Sequence, residues 1–397
     1  MSSSVLGAPA TAELSRARTA VMLAFATNGF CFASWLSRAP TARDLLGLSS
    51  AELGLLLLCL SGGACLALPI SGHAVHRFGA AKVVLLGSVG VGVGLLAFAA
   101  GLAARTVWPA ALGLLITGVC MGNWDVAMNV AGADVERRRG RPLMPRLHAA
   151  FSIGSVAGGA AGALLARLAV PLEAEVLAAA FLAPGSLVFA VRHFRPEREA
   201  EAGGPASSSG GLRAWREPRT LLIGLLTLCF AFTEGSANDW VAVALVDGHR
   251  SSEVFGAVGF GLFVSAMTIG RLGGVAVLHR FGRVSVLRVT AALALLGLLL
   301  VTLAPSIGWV LAGVALWGVG ASLGFPVGMS AAADDPARAA ARVGVVSSIA
   351  YTAFLAGPPL IGLLAQHVGI LRALFVVLAA LAVGLLTTGA ARPPRRN

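Results

Sequence analysis

Charge is scarce in this chain. Asp, Glu, Lys and Arg make up 12% of its 397 residues, about half the share of a soluble globular protein. Lysine nearly vanishes, with Lys82 standing against 29 arginines, and tyrosine occurs once. The five cysteines are odd in number, sit in apolar stretches and show no ligand spacing, so neither a disulfide framework nor a cysteine metal site is expected. No Gly-x4-Gly-Lys-Ser/Thr loop and no His-Glu-x-x-His helix occurs, which excludes the common nucleotide-driven motor and the zinc-protease helix. A membrane-embedded enzyme would need a metal cluster or a nucleophile and base at membrane depth. The expectation is therefore no metal, no cofactor and no enzyme.

What fills the chain is apolar: 57% hydrophobic residues and a mean hydropathy of +0.84. Segments of about 20 apolar residues recur, long enough to cross a hydrocarbon layer of about 30 Å as helices. Twelve spans are expected, at 19–38, 52–72, 83–103, 108–132, 147–168, 173–192, 220–245, 254–277, 286–304, 307–332, 343–365 and 370–390. The polar, Ala-rich start leads into the first span without a small-residue cleavage site, and reads as part of the body. The predicted class is an all-α membrane protein in contact with the lipid bilayer.

A net charge of +12 raises the question of a nucleic-acid partner, and the placement of the arginines answers it. With the N-terminus on one side, 23 of the 30 basic residues fall in the tails and alternate loops of that side. Cytoplasmic loops carry such an excess, so both termini are expected in the cytoplasm of a cell-membrane protein, and no nucleic acid is implied.

The chain also repeats itself. His-Arg-Phe-Gly occurs at His76–Gly79 and again at His279–Gly282. Thr27–Trp35 (TNGFCFASW) is answered by Thr233–Trp240 (TEGSANDW), and Gly118, Val119, Ala131, Ala133 and Asp134 meet identical residues 200 positions later. Six spans per half is an even number, so the halves are parallel repeats. The expected organisation is a bundle over 1–192, a polar cytoplasmic linker over 193–218 rich in Gly, Ser, Glu and Pro, and a second bundle over 219–397.

Over essentially its whole length the chain resembles the major facilitator superfamily. The loop after span two carries Gly72, Arg77 and Gly79 of that family's pattern, with His76 where an Asp is expected, and the second copy supplies His279, Arg280 and Gly282. The resemblance implies a twelve-helix fold of two bundles, with these residues forming cytoplasmic conformational hinges and the arginines pairing with facing helix ends. GNWDVAMN, RLHAAFSIGS and TEGSANDW are similar to the YbjJ-type branch, distantly similar to fucose–proton symporters.

Ionisable residues at membrane depth cost a few kcal/mol each, so each is a functional hypothesis. Asp125 in span four and Glu234 in span seven are the expected proton-coupling carboxylates. Asp125 and Asn129 are four apart and share a helix face with Trp124 beside them. Asn28 occupies the repeat position of Glu234, Asn238 lies one turn beyond Glu234, and Asp239 lies toward the outer end. Arg271 in span eight either neutralises a carboxylate or substrate anion, or snorkels to the cytoplasmic surface. Trp317, Phe325 and Tyr351 offer aromatic surfaces on spans ten and eleven. The substrate-binding candidates are thus Asn28, Trp124, Asn129, Asn238, Asp239, Arg271, Trp317, Phe325 and Tyr351. Trp35 and Trp240 are read as interfacial anchors, and Gly154, Gly158 and Gly162 as a face for close helix approach.

The expected function is secondary transport of a small solute by alternating access, with the proton as coupling ion and the chain a monomer. The alternatives are an efflux antiporter for drugs or metabolites, or a non-transporting membrane sensor of the same fold.

Overall fold

The computed structural model describes residues 8–140, 143–194, 213–335 and 338–393. Among them twelve helices are long and apolar enough to cross a membrane, and no strand occurs. The shortest, Arg283–Leu303, has 21 residues, which at 1.5 Å per residue spans about 30 Å. Most of the expected linker lies outside the described residues.

The chain forms two compact units, Met1–Trp35 with Cys59–Glu201, and Leu36–Leu58 with Ala202–Asn397. Residues 36–58 therefore group with the second unit, although the sequence reading places them in the first bundle.

The first unit holds α1 (Ala8–Leu36), most of α3 (Ser50–Phe78), α4 (Ala80–Ala104), α5 (Val107–Arg139), α6 (Met144–Arg167) and α7 (Leu172–Leu187). Small residues set its packing. A Cβ on Gly154 would run into the carbonyl of Ala26, and one on Gly158 would lie 2.6 Å from that of Phe30. Backbones of α1 and α6 meet directly, as the four-residue glycine spacing predicts. The helix α5 runs past the apolar stretch to Arg139 and stops at Gly140 in a left-handed conformation. Arg137 and Arg138 in its last turn pair with Asp134, a favourable place for cations at a helix C-terminus.

The second unit adds α2 (Ala39–Leu45), the first part of α3, then α8 (Pro218–Val243), α9 (Glu253–Phe281), α10 (Arg283–Leu303), α11 (Ile307–Ala321), α12 (Gly324–Ala332), α13 (Ala339–Val368), α14 (Ile370–Ala373) and α15 (Phe375–Thr387). The segment 36–58 is held there by packing, with Gly54 against the carbonyl of Pro358 and Gly362 against that of Ser50, and by charge. Arg38, almost fully buried, pairs with Glu253, which also accepts from the Thr41 hydroxyl. Arg43 pairs with Asp247.

The sequence repeat reappears as matching contacts inside each unit. Gly94 and Gly113 abut reciprocally across α4 and α5, and Gly297 and Gly313 do so across α10 and α11. Gly118 lies against the carbonyl of Leu60, and Gly318 against that of Phe263. The two HRFG turns also match. Gly79 has φ 79° and ψ 151°, and Gly282 has φ 77° and ψ 161°, a region open essentially to glycine. Each is a one-residue joint between consecutive helices. Gly72 is not part of this joint: it lies inside α3, and a Cβ there would meet nothing within 4 Å. His76, Arg77, His279 and Arg280 are exposed. Instead of pairing with facing helix ends, Arg77 lies over the Phe78 ring and Arg280 over Phe281. It is Arg283, just after the second turn, that reaches Asp334 at 2.6 Å, beside Arg219 at 2.8 Å.

The tryptophans correct the anchor reading. Trp35 and Trp240 are fully enclosed. Trp108 and Trp309, at the starts of α5 and α11, are 87% and 61% exposed and suit the membrane–water boundary.

Candidate functional site

The expected tenth span is two helices. The chain breaks at Ser322–Leu323, between α11 and α12. In a continuous helix the carbonyl of Ser322 would accept from the N–H of residue 326. Residue 326 is proline and has no N–H to give. The helix restarts cleanly, with Val327 N–H donating to Leu323 O at 3.0 Å, so the Ser322 carbonyl is left over.

Arg271 on α9 fills that gap. Its Nε donates to Ser322 O at 3.3 Å, and its Nη2 donates to Glu234 Oε1 on α8 at 2.7 Å. Two residues singled out separately in the sequence thus form one ion pair at membrane depth. Glu234 is 15% exposed and Arg271 33%, so the pair is sheltered but reachable. Of the two readings of Arg271, the pair with Glu234 is the one this arrangement favours. Small residues make the approach feasible, because a Cβ on Gly270 would crowd Ser322 and one on Gly324 would enter the Phe230 ring.

The break also spells Gly-x-Ser-x-Gly over Gly320–Gly324, the pattern of a hydrolase nucleophile turn. That pattern requires a strand leading into a helix, and here it joins two helices. The buried Ser322 hydroxyl donates back to Val319 O at 2.6 Å.

Asn238 and Asp239 follow Glu234 on α8 and are half-buried. Asp239 forms no hydrogen bond or ion pair among the described residues. Phe325, at the start of α12, is half-buried, and Tyr351 packs near Phe354 with ring centres 6.2 Å apart. Trp317 is different: it is fully enclosed, edge-on to Phe263, and offers no face to a solute in this structure.

In the first unit, Asp125 projects from α5 and is exposed. Its neighbour is Asn129, whose Nδ2 donates to the Asp125 carbonyl at 2.9 Å and to Oδ1 at 3.4 Å. No cation pairs with Asp125 among the described residues. Trp124 next to it is fully buried against Gly87 of α4, so it packs the unit as Trp317 does. Asn28 is 2% exposed, and its Nδ2 has no partner among the described residues. No group of metal-ligating side chains occurs among them either.

Twelve helices long and apolar enough to cross a membrane, among the described residues, together with the internal repeat define a polytopic membrane protein. Comparison with known proteins gives the family. The Major Facilitator Superfamily model matches residues 19–334, and the chain belongs to that superfamily. It is 33% identical to the uncharacterized transporter y4wD of Sinorhizobium fredii, over 90% of this chain and 96% of that protein. It is also 33% identical to an uncharacterized MFS-type transporter of Yersinia pestis, over 93% of each. Its fold is similar to a crystal structure of a mutant of the nucleoside transporter NupG, with a TM-score of 0.78 at 14% identity over 94% and 98% of the chains. The outward conformation of FucP aligns with a TM-score of 0.63 at 12% identity, over 95% and 99%. The protein is an MFS transporter, embedded in a membrane and acting on a small molecule.

Proposed function

We propose that this chain is a proton-coupled secondary transporter of a small solute in the bacterial inner membrane, with both termini cytoplasmic, working as a monomer. The two repeats, proposed as bundles over 1–192 and 219–397 joined by the 193–218 linker, work by alternating access, and the glycine joints at Gly79 and Gly282 permit the helix reorientation. Asp125 carries the proton. The observation behind this assignment is the contrast between the two deep carboxylates: Glu234 holds Arg271 at 2.7 Å, while among the described residues Asp125 has no cation and its carboxylate accepts from Asn129. A neighbouring guanidinium favours the charged carboxylate, so a carboxylate without one is the freer to exchange a proton as its access to water changes.

The test uses purified protein in proteoliposomes. A ligand is first found by thermal shift against sugars, nucleosides, amino acids and organic anions, since binding to the folded state raises its apparent stability. Accumulation of that ligand should then require an imposed proton gradient. Accumulation unaffected by collapse of the gradient would refute the proton as coupling ion.

A further inference from the structure

The ion pair at the helix break is incompletely used. A guanidinium has five N–H donors in a planar fork suited to two parallel bonds with one carboxylate. Arg271 instead gives Nε to a backbone carbonyl and Nη2 to one oxygen of Glu234. Its Nη1 donates to nothing among the described residues, and a third of the side chain is exposed. A structural pair would gain by closing the second bond. Here the Ser322 carbonyl, freed by Pro326, holds Nε, and Nη1 is left without a partner among the described residues.

We propose that the two Nη groups of Arg271 bind the carboxylate of a small organic anion, and that Glu234 is the internal ligand which occupies Arg271 when the anion is absent. The charge balance explains the pairing. Arg271 and Glu234 sum to zero, and an arriving carboxylate would leave a net negative charge at membrane depth unless Glu234 takes up a proton. Protonation loosens Glu234 from Arg271 at the moment the anion needs both Nη groups.

The surroundings leave this exchange to these two residues. On the helices packed around the pair, Arg219 and Arg342 lie at the end of the bundle shared with Asp334 and Glu217. Asp247 and Glu253 are taken up by Arg43 and Arg38, and His249 by the carbonyl of Val301. His279, Arg280 and His367 are exposed. Asp239, more than one turn from Glu234, is the other acidic residue of α8.

The inference rests on the transporter reading and adds the substrate class to it. Its test measures binding in detergent with no gradient, so failure of proton coupling at Asp125 leaves the result interpretable. Lactate and benzoate are titrated against the full-length protein between about pH 5.5 and 7.5, where both probes stay ionised, with lactamide and benzamide as neutral controls. The parent should bind the anions more tightly as pH falls and ignore the amides. Glu234→Gln should bind them about tenfold more tightly at neutral pH, the equivalent of one charge-assisted bond no longer contested, and lose the pH dependence. Arg271→Lys should weaken binding by about tenfold through loss of the fork. Because Arg271→Gln leaves Glu234 without its partner, the negative control is the doubly neutral Glu234→Gln/Arg271→Gln. Failure of Glu234→Gln to bind either anion, or equal binding by the doubly neutral protein, would overturn the proposal.

Discussion

Gly79 and Gly282 adopt nearly the same backbone conformation, φ 79° and ψ 151° against φ 77° and ψ 161°, at the ends of two copies of His-Arg-Phe-Gly. A side chain in this region is strained by about 1–3 kcal/mol. Gly79→Ala and Gly282→Ala should each lower apparent stability by about that amount in thermal unfolding of the purified protein. Gly72→Ala, inside α3 and facing open space, should leave it unchanged.

The Arg271–Glu234 pair should behave as a unit. Removing one partner of a sheltered pair costs about 3 kcal/mol or more, mostly by stranding the other charge, so Arg271→Gln should destabilise clearly. The double variant with Glu234→Gln should recover much of the loss. A double-mutant cycle read by thermal unfolding checks this. Simple additivity would mean that the two side chains do not interact.

How much of this was legible in the sequence depends on the length scale of the signal. Twelve spans and the repeat are written in runs of apolar residues and in recurring glycines, and the structure shows both. The break at Ser322 was not seen because Leu323, Phe325 and Val327 keep the stretch apolar. The clue was Pro326, whose missing N–H matters only once a particular carbonyl is followed. Glu234 and Arg271 were visible as isolated charges, but 37 residues and a helix turn separate them, and only packing shows that they meet. Trp124, Trp317, Trp35 and Trp240 were misjudged for one reason. A large aromatic near a polar residue in sequence can point to the opposite face of its helix, where small neighbours such as Gly87 make room. The grouping of 36–58 with the second unit shows in long-range contacts without a local pattern, such as Arg38 with Glu253 and Gly54 with Pro358.

Acid should weaken a second, peripheral cluster. Glu217, at the start of α8, accepts from Arg342 at 2.6 Å and from Arg338 at 3.2 Å. The Arg342 bond foremost, aided by Thr220 and Arg338, holds its carboxyl below the usual range. A depressed folded-state pKa contributes stability above the unfolded value of about 4.3, and that contribution is lost as pH falls through the folded value. The pair is accessible, so the effect should be under about 1 kcal/mol. Glu217→Gln should be slightly less stable than the parent at pH 7, with the difference fading as pH falls below the usual glutamate range in pH-resolved melting.

Topology can be checked by labelling single cysteines in a cysteine-free background. With cytoplasmic termini, Arg250→Cys should react with an impermeant maleimide in intact cells, and Arg139→Cys only after permeabilisation. The reverse pattern would invert the orientation drawn from the arginine distribution.

The central claim is that Asp125 carries the coupled proton. Its most direct test compares Asp125→Asn with the parent in proteoliposomes, measuring gradient-driven accumulation and solute exchange at equilibrium side by side. Asparagine keeps the size and hydrogen-bonding capacity of the side chain and removes its titration. The account predicts that accumulation is abolished while exchange persists within a few-fold of the parent. Accumulation by Asp125→Asn equal to the parent, with the same dependence on the proton gradient, would contradict it.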